Sequence, residues 1–217
     1  MQRLARRVGI AVEGVTISLV VAGTGVVLWA IGLAWPGIVL ILAAGAIAAF
    51  FRDPERTPPL SSTVVVSAAD GKVSDVGEAG IPGDAPGARY HRVSVFMSPL
   101  NVHVNRAPVA AEVVEVRHTP GAFHAAFRDY ASERNERNLV ILKGDDGRRH
   151  AMMQVAGYLA RRIVCRLRPH DRVRPGERVG LIMFGSRVDH FIPPEYRVVV
   201  TVGQRVRAGE SVIGVLS

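Results

Sequence analysis

The fold is decided by a stretch near the C-terminus, Val173-Arg-Pro-Gly-Glu-Arg-Val-Gly180, which the chain repeats as Val206-Arg-Ala-Gly-Glu-Ser-Val-Ile213. In each copy a glycine turn separates two short segments that each contain a valine, which is the pattern of a strand, a turn and a second strand. We therefore predict quasi-symmetric hairpins in a compact β-sandwich or flattened barrel.

These repeats resemble the hairpins of biotinyl/lipoyl carrier domains. Such carriers need a lysine at an exposed hairpin tip. The chain has two lysines, Lys72 and Lys143, and neither lies in the repeats. The resemblance thus implies the shape of a carrier domain without its chemistry. It leaves a non-catalytic, membrane-tethered adaptor as one alternative function.

Outward from the repeats, residues 57–217 are predicted to form one mainly β domain. Short segments rich in Val and Ile alternate with Gly, Pro and Asp turns. The predicted strands are Thr63–Ser67, Arg92–Phe96, Val102–Asn105, Ala111–Arg117, Leu139–Lys143, Ile163–Leu167 and Tyr196–Val202, with one helix over Phe123–Arg134. The sequence has no βαβ alternation and no G-x-G-x-x-G or Walker A motif, which disfavours nucleotide-binding α/β folds.

Residues 1–56 are predicted to be a membrane anchor. The run Gly14–Trp35 has no charge, and as a helix it would be about 33 Å long, enough to cross a hydrocarbon core. The second uncharged run, Ile38–Phe51, follows Pro36-Gly37 and would be about 20 Å long. We expect a transmembrane helical hairpin over about residues 14–51. A cleaved signal peptide fits less well, because the stretch is too long and lacks a cleavage pattern.

Arginines flank both apolar runs. Arg3, Arg6 and Arg7 precede the first run, and Arg52 and Arg56 follow the second. If both runs cross, both flanks lie on one side, which the positive-inside tendency makes cytoplasmic. The expected location is therefore the cell membrane, with the domain of residues 57–217 on the cytoplasmic side.

Composition excludes several classes of protein. Cys165 is the one cysteine of the 217-residue chain, so an intramolecular disulfide scaffold and a cysteine-rich zinc site are excluded. The formal net charge of +8 suits work at an anionic membrane surface. Nucleic-acid binding is not expected, because the sequence shows no aromatic stacking platform or recognition motif.

The residues that carry chemistry centre on Gly185-Ser186. The pair is typical of a turn, and G-x-S-x-G, the nucleophile elbow, is absent. A serine after a glycine can also attack the preceding carbonyl, because glycine accepts strained backbone angles. Such a serine needs a base and an orienting carboxylate, for which His103 and Asp70 are candidates. The same three residues leave a membrane-bound serine hydrolase as a further alternative, and taken singly His103 and Asp70 are typical of structural strand and turn residues.

Several segments, taken together and in order, resemble the phosphatidylserine decarboxylase family. The resemblance is strongest to its short, membrane-anchored form, which is shared with archaetidylserine decarboxylases. After the anchor, the segments are Phe50-Phe-Arg-Asp-Pro-Glu-Arg56, Ala69-Asp-Gly-Lys-Val73, Ser98-Pro-Leu-Asn-Val-His-Val-Asn-Arg-Ala-Pro108, Asn135-Glu-Arg-Asn138, Gln154-Val-Ala-Gly157, Ala160-Arg-Arg-Ile163 and Phe184-Gly-Ser-Arg-Val188. Their co-occurrence and order are specific, although no single segment is.

The resemblance implies a zymogen that cuts itself between Gly185 and Ser186. Residues 1–185 become the β chain and residues 186–217 the α chain. Autocatalytic serinolysis and elimination convert Ser186 into a pyruvoyl group, which forms a Schiff base with the substrate amine. Neither pyridoxal phosphate nor a metal is then needed, and phosphatidylserine is converted to phosphatidylethanolamine and carbon dioxide.

The resemblance also implies roles for individual residues. Ser186, His103 and Asp70 are the expected catalytic residues, with Asp70 and His103 as orienting acid and base in self-cleavage. His190 and Arg187 are candidates for substrate binding. Some longer members of the family carry a second histidine, assigned to self-cleavage, where this chain has Arg106; this leaves open whether His103 serves both self-cleavage and decarboxylation.

The implied partners are a membrane phospholipid, the chain's own two fragments and a second copy in a homodimer. The sequence leaves open whether the lipid is a phosphatidylserine or an archaetidylserine, because the headgroup chemistry is identical.

Overall fold

The computed structural model describes residues 9–84, 87–122, 124, 134–157, 162–183 and 185–217. The chain divides into two compact units, Met1–Glu55 and Arg56–Ser217. The helix predicted over Phe123–Arg134 lies outside the described residues, apart from positions 124 and 134.

The first unit contains two apolar helices, α1 (Val12–Ala30) and α2 (Ala34–Phe50). Glycine lets them approach closely, because a Cβ on Gly25 would lie 2.8 Å from the carbonyl oxygen of Gly37. Among the described residues, α1 is the one helix long and apolar enough to cross a membrane, which weakly suggests membrane association. The transmembrane hairpin itself stays a prediction.

The second unit is mainly β, as predicted. Its strands are β1 (Val64–Val66), β2 (Gly71–Ala79), β3 (Tyr90–Met97), β4 (Val104–Arg106), β5 (Ala111–Thr119), β6 (Arg137–Gly144), β7 (Arg149–Val155), β8 (Ile163–Cys165), β9 (Arg172–Val173), β10 (Arg178–Ile182), β11 (Ser186–Ile192), β12 (Tyr196–Val198), β13 (Arg205–Val206) and β14 (Val212–Leu216). The seven predicted strands overlap β1, β3, β4, β5, β6, β8 and β12.

The strands form three sheets in the described part of the chain. An eight-stranded sheet curls into a half-barrel with the order β13-β2-β3-β11-β7-β6-β5-β9. Two three-stranded sheets have the orders β1-β14-β12 and β4-β10-β8. The paired strands are antiparallel throughout the named strands, and β11 lies inside the large sheet between β3 and β7.

The two sequence repeats form a strand, a glycine turn and a second strand, but the prediction that they are hairpins was wrong. In the first repeat β9 pairs with β5, whereas β10 pairs with β4 and β8. In the second repeat β13 pairs with β2, whereas β14 pairs with β1 and β12. Each repeat therefore crosses from one sheet to another, so a biotinyl/lipoyl-like arrangement is not confirmed.

The two faces of β11 pack into different hydrophobic clusters, because successive residues of a strand point to opposite faces. Val188 and Ile192 belong to the main core, which also contains Val95 and Met97 of β3. Phe191 belongs to a second cluster that includes Leu139, Met153 and Val155. All seven residues of β11 are buried, so the strand is covered on both sides.

Candidate active site

Ser186 is the first residue of β11, and it lies opposite Met97 of β3. The sequence predicts a turn at Gly185-Ser186. In the structure only Gly185 lies in the turn, since Ser186 already belongs to the sheet. The serine is fully buried, and its Oγ has no hydrogen-bond partner among the described residues. A buried hydroxyl without a partner is unfavourable for stability, which is typical of a group kept for chemistry.

Gly185 has a left-handed backbone, with φ at +62°. A side chain is disfavoured in this conformation, whereas glycine adopts it readily. A Cβ on Gly185 would meet no atom within 4 Å, so steric crowding is not the reason for glycine here. The backbone turn into Ser186 is the reason.

His103 is buried just before β4. Its carbonyl oxygen accepts a hydrogen bond of 3.3 Å from the backbone N–H of Ile182. Ile182 ends β10. Three residues lie between Ile182 and Ser186, so their Cα atoms are at most about 14 Å apart. The pairing of β4 with β10 thus brings His103 to the same end of the domain as Ser186.

Asp70 directly precedes β2, at the same end of the large sheet. Lys72, Phe96 and Arg187 share one row across β2, β3 and β11, so the starts of β2 and β11 are about 10 Å apart, two interstrand spacings. The carboxylate of Asp70 accepts hydrogen bonds from Arg56 Nη2 at 2.8 Å and from the Ala208 N–H at 2.7 Å. Its role as an orienting acid stays a prediction.

From the sequence, Arg56 is interpreted as part of the basic flank of the anchor. In the structure its contacts lie in the second unit. Besides Asp70, it donates from Nη1 to Glu210 Oε2 at 3.0 Å. Its side chain is 9% exposed. Arg56 is thus part of a partly buried ion-pair cluster with Asp70 and Glu210, which the sequence did not indicate.

His190 is held by backbone groups on both sides of its ring. Its Nε2 accepts the Ala68 N–H at 2.8 Å, so the proton lies on Nδ1, which donates to the Val93 carbonyl at 2.8 Å. Burial lowers the pKa of His190, and its imidazole is neutral at pH 7. These contacts connect β11 to β3 and to the segment before Asp70.

Arg187 projects from the face of β11 opposite to that of Ser186, because the two residues are adjacent in the strand. It forms a buried ion pair with Asp189, with Nε 2.8 Å from Oδ1 and Nη2 donating to Oδ2 at 3.2 Å. The predicted substrate-binding roles of Arg187 and His190 are not tested by these contacts and stay predictions.

Arg106 is buried and donates from Nη1 to the Gly176 carbonyl at 2.9 Å. It therefore supports the turn of the first repeat. Among the described residues no group of three or more His, Cys, Asp or Glu side chains could hold a metal ion.

The sequence missed a buried chain of side-chain amides. Asn138 Nδ2 donates to Gln154 Oε1 at 3.0 Å, and Gln154 Nε2 donates to Asn105 Oδ1 at 2.9 Å. Asn105 Nδ2 in turn contacts Met97 Sδ at 3.6 Å. The three amides belong to three of the segments on which the family resemblance rests, and this shared membership was the only sign in the sequence that they matter. The segments are far apart in the sequence, so their spacing does not show that the three side chains meet.

A mainly β domain that buries a serine behind a left-handed glycine fits a family of self-processing enzymes, and comparison with known proteins identifies that family. The family model for phosphatidylserine decarboxylase matches residues 44–214. The chain belongs to the phosphatidylserine decarboxylase family.

Curated relatives support this assignment over most of the chain. A phosphatidylserine decarboxylase proenzyme of Mycolicibacterium smegmatis is 47% identical over 179 residues, which is 82% of this chain and 77% of that protein. The proenzyme of Syntrophus aciditrophicus is 46% identical over 165 residues, 76% of this chain and 77% of that protein. The proenzyme of Chlorobium chlorochromatii is 48% identical over 166 residues, 76% of both chains.

Proposed function

We propose that this chain is the proenzyme of a pyruvoyl-dependent phosphatidylserine decarboxylase, which converts phosphatidylserine to phosphatidylethanolamine and carbon dioxide. The observation that carries the proposal is Ser186. Its buried hydroxyl lacks a hydrogen bond among the described residues and follows a glycine at φ +62°. This is the position at which the family resemblance puts the pyruvoyl precursor, and the curated relatives are named proenzymes.

Self-cleavage begins when Ser186 Oγ bonds to the carbonyl carbon of Gly185 and its proton passes to a base. The Gly185–Ser186 C–N bond then breaks, the serine nitrogen takes up a proton, and an ester joins the two chains. Elimination releases Gly185 as a carboxylate and leaves dehydroalanine, which water converts to the pyruvoyl group with loss of ammonia. We assign the base to His103 and its orientation to Asp70, the two buried candidates at this end of the domain.

The pyruvoyl group supplies the electron sink that decarboxylation of an α-amino acid headgroup requires. The residues around it exclude water, since every residue of β11 is buried. His103 is the proposed donor of the proton that replaces the lost carboxylate. Because His190 is neutral and bonded to backbone on both sides, it is the less suitable proton donor.

The two fragments are expected to stay together after cleavage. The α chain would contain β11, which pairs with β3 on one side and β7 on the other. It would also contain β14, which pairs with β1 of the β chain. Separating the fragments would break these ladders and expose the main core, which contains Val188, Ile192 and Ile213.

The experiment that tests the proposal compares wild-type protein with Ser186→Ala, using Ser94→Ala as the matched control. Ser94 is equally buried and lies on β3. Intact mass under denaturing conditions should show two fragments for wild type and for Ser94→Ala, the smaller one lacking a free amine. Ser186→Ala should remain one chain and release no carbon dioxide from phosphatidylserine; decarboxylation by this variant would refute the assignment.

We further propose that α1 and α2 both cross the cell membrane and leave the β unit on the cytoplasmic side. Gly32 lies between the two helices. A Gly32→Cys variant in a Cys165→Ser background should therefore react with a membrane-impermeant maleimide added outside intact cells. Labelling of this cysteine only after lysis would contradict the orientation.

Two parts of the proposal remain, the linkage of the lipid tails (ester or ether) and the homodimer. Release of carbon dioxide from serine lipids with ester-linked and ether-linked tails should favour the ester form, since the curated relatives are named for phosphatidylserine. Light scattering of the solubilised protein tests the homodimer that the family resemblance implies.

A further inference from the structure

The buried amide chain runs in one direction. Asn138 donates to Gln154, and Gln154 donates to Asn105. Asn105 then donates to the sulfur of Met97. Aligned hydrogen bonds polarise one another in a low-dielectric interior, so the N–H groups of Asn105 are the strengthened end of the chain.

The Asn105 N–H group donates to a weak acceptor, the sulfur of Met97. A thioether sulfur is a poor hydrogen-bond acceptor, and the distance from Asn105 Nδ2 to Met97 Sδ is 3.6 Å. An amide nitrogen also has two hydrogens. In the part of the chain that the structure describes, Met97 Sδ is the acceptor that Asn105 Nδ2 contacts, so the group retains donor capacity.

Ser186 and this donor share Met97 as a neighbour. Met97 and Ser186 are cross-strand neighbours, so their side chains project from one face. Gln154 is the cross-strand neighbour of Val188, which lies two residues along β11 and thus on that face as well. Asn105, Gln154 and Ser186 are all fully buried. A buried donor with spare capacity and a buried hydroxyl oxygen without a partner therefore lie around the same methionine.

We propose that, once the ester has formed, Asn105 Nδ2 donates a hydrogen bond to the side-chain oxygen of residue 186 and that its catalytic task is the elimination step of self-cleavage. In that step a base takes the Cα proton of residue 186, the Cα–Cβ double bond forms, and the Cβ–Oγ bond breaks. Oγ then departs as part of the Gly185 carboxylate, with the negative charge. A donor fixed at Oγ stabilises that charge as it develops. Gln154 and Asn138 are positioning residues, which hold and polarise Asn105.

The inference rests on the proposed function and predicts which intermediate accumulates. Asn105→Leu should still form the ester but eliminate it slowly, by about 100-fold, the loss typical of removing one donor to a developing oxyanion. The ester has the mass of the uncut proenzyme, yet hydroxylamine cleaves it into a Gly185 hydroxamate and a fragment that begins with a free serine amine. A structural role alone would not produce this hydroxylamine-labile species.

The experiment follows processing of full-length protein over time by intact mass, with and without hydroxylamine. Asn105→Leu is compared with Ser94→Ala, a buried polar deletion on the opposite face of β3, which should process like wild type. Processing of Asn105→Leu at the wild-type rate would overturn the inference. So would an uncut Asn105→Leu without hydroxylamine-labile material, since the block would then precede the ester.

Two further variants decide the matter if Asn105→Leu does not fold, as judged by circular dichroism. Gln154→Met leaves Asn105 in place but removes its support, so ester should accumulate to a smaller extent; wild-type kinetics would count against the inference. Met97→Leu removes the competing sulfur at similar volume and should process at least as fast as wild type. If wild-type protein itself is never processed, the proposed function fails; if wild type and Asn105→Leu are processed alike, only this inference fails.

Discussion

Gly176 and Gly209, the equivalent glycines of the two sequence repeats, lie against each other. Both have left-handed backbones, with φ at +74° and +75°. A Cβ on Gly209 would lie 2.9 Å from the Cα of Gly176. The two turns at which the repeats cross from one sheet to another are therefore in direct backbone contact, and the repeated glycine has two causes, backbone conformation and close approach.

We expect Gly209→Ala to destabilise the β unit by about 2 kcal/mol or more, since a left-handed backbone alone costs an alanine about 1–2 kcal/mol and a steric clash adds to it. Gly147→Ala is the matched control, because Gly147 has φ at +80° but a Cβ there would meet nothing within 4 Å. Thermal unfolding followed by circular dichroism measures both. Equal losses in the two variants would show that the contact between Gly176 and Gly209 contributes nothing.

Asp70 gives a second prediction, because its carboxylate is held by Arg56 and by the Ala208 N–H. Asp70→Asn should lower stability by about 1–3 kcal/mol, the usual loss when a buried charged group is left with a weaker partner, and should also slow processing. Glu210→Gln is the control, since Glu210 pairs with the same arginine but its side chain is 30% exposed. If Asp70→Asn slowed processing without any loss of stability, Asp70 would act in the chemistry alone.

The sequence predicted the β class of the domain but missed strand β11 and the exact start of β2. In β11, Arg187, Asp189 and His190 read as polar surface, yet the strand is buried, because Arg187 and Asp189 pair with each other and His190 bonds to backbone. In β2, the pair Asp70-Gly71 reads as a turn. The structure places Gly71 in the strand, with the Phe96 carbonyl oxygen so close that a Cβ would not fit.

Only part of the candidate site could be predicted from the sequence, because local motifs are visible there and contacts between distant segments are not. Ser186 and Gly185 are adjacent, so a local motif was enough to find them. The contacts of Arg56 with Asp70, and of Gln154 with Asn105, join residues brought together only by sheet topology. The hairpin interpretation of the repeats failed for the same reason, since which sheet a strand joins is decided by partners elsewhere in the chain.

His190 gives a third prediction, which separates structure from substrate binding. His190→Leu removes both the acceptor for the Ala68 N–H and the donor to the Val93 carbonyl, so two buried backbone groups lose their partners. We expect a loss of about 2–6 kcal/mol, at about 1–3 kcal/mol for each buried unsatisfied group, measured by thermal unfolding. A role in headgroup binding predicts instead a raised KM for phosphatidylserine at unchanged stability, and that result would contradict the structural role.

The last prediction concerns His150, which is 2% exposed. Its ring lies edge-to-face on Tyr196, with centroids 5.3 Å apart. Burial lowers the pKa of His150 to about 4. The charges of Asp146 and Glu195 raise this pKa, and the charge of Arg148 lowers it further, but both effects are smaller than that of burial. At neutral pH the imidazole is uncharged in both folded and unfolded protein. As pH falls below about 6.5, the ordinary pKa of histidine, the unfolded chain takes up a proton first, so stability is lost down to about pH 4.

A pKa difference of this size is worth on the order of 3 kcal/mol at pH 4. His150→Gln cannot take up the proton, so its stability should fall less than that of wild type between pH 7 and pH 4.5. His170→Gln, which removes a surface histidine, is the control and should follow wild type. Both tryptophans, Trp29 and Trp35, lie in the first unit, so circular dichroism of the β strands, and not tryptophan fluorescence, should measure the unfolding. An equal loss of stability in His150→Gln and wild type would show that His150 does not titrate on unfolding.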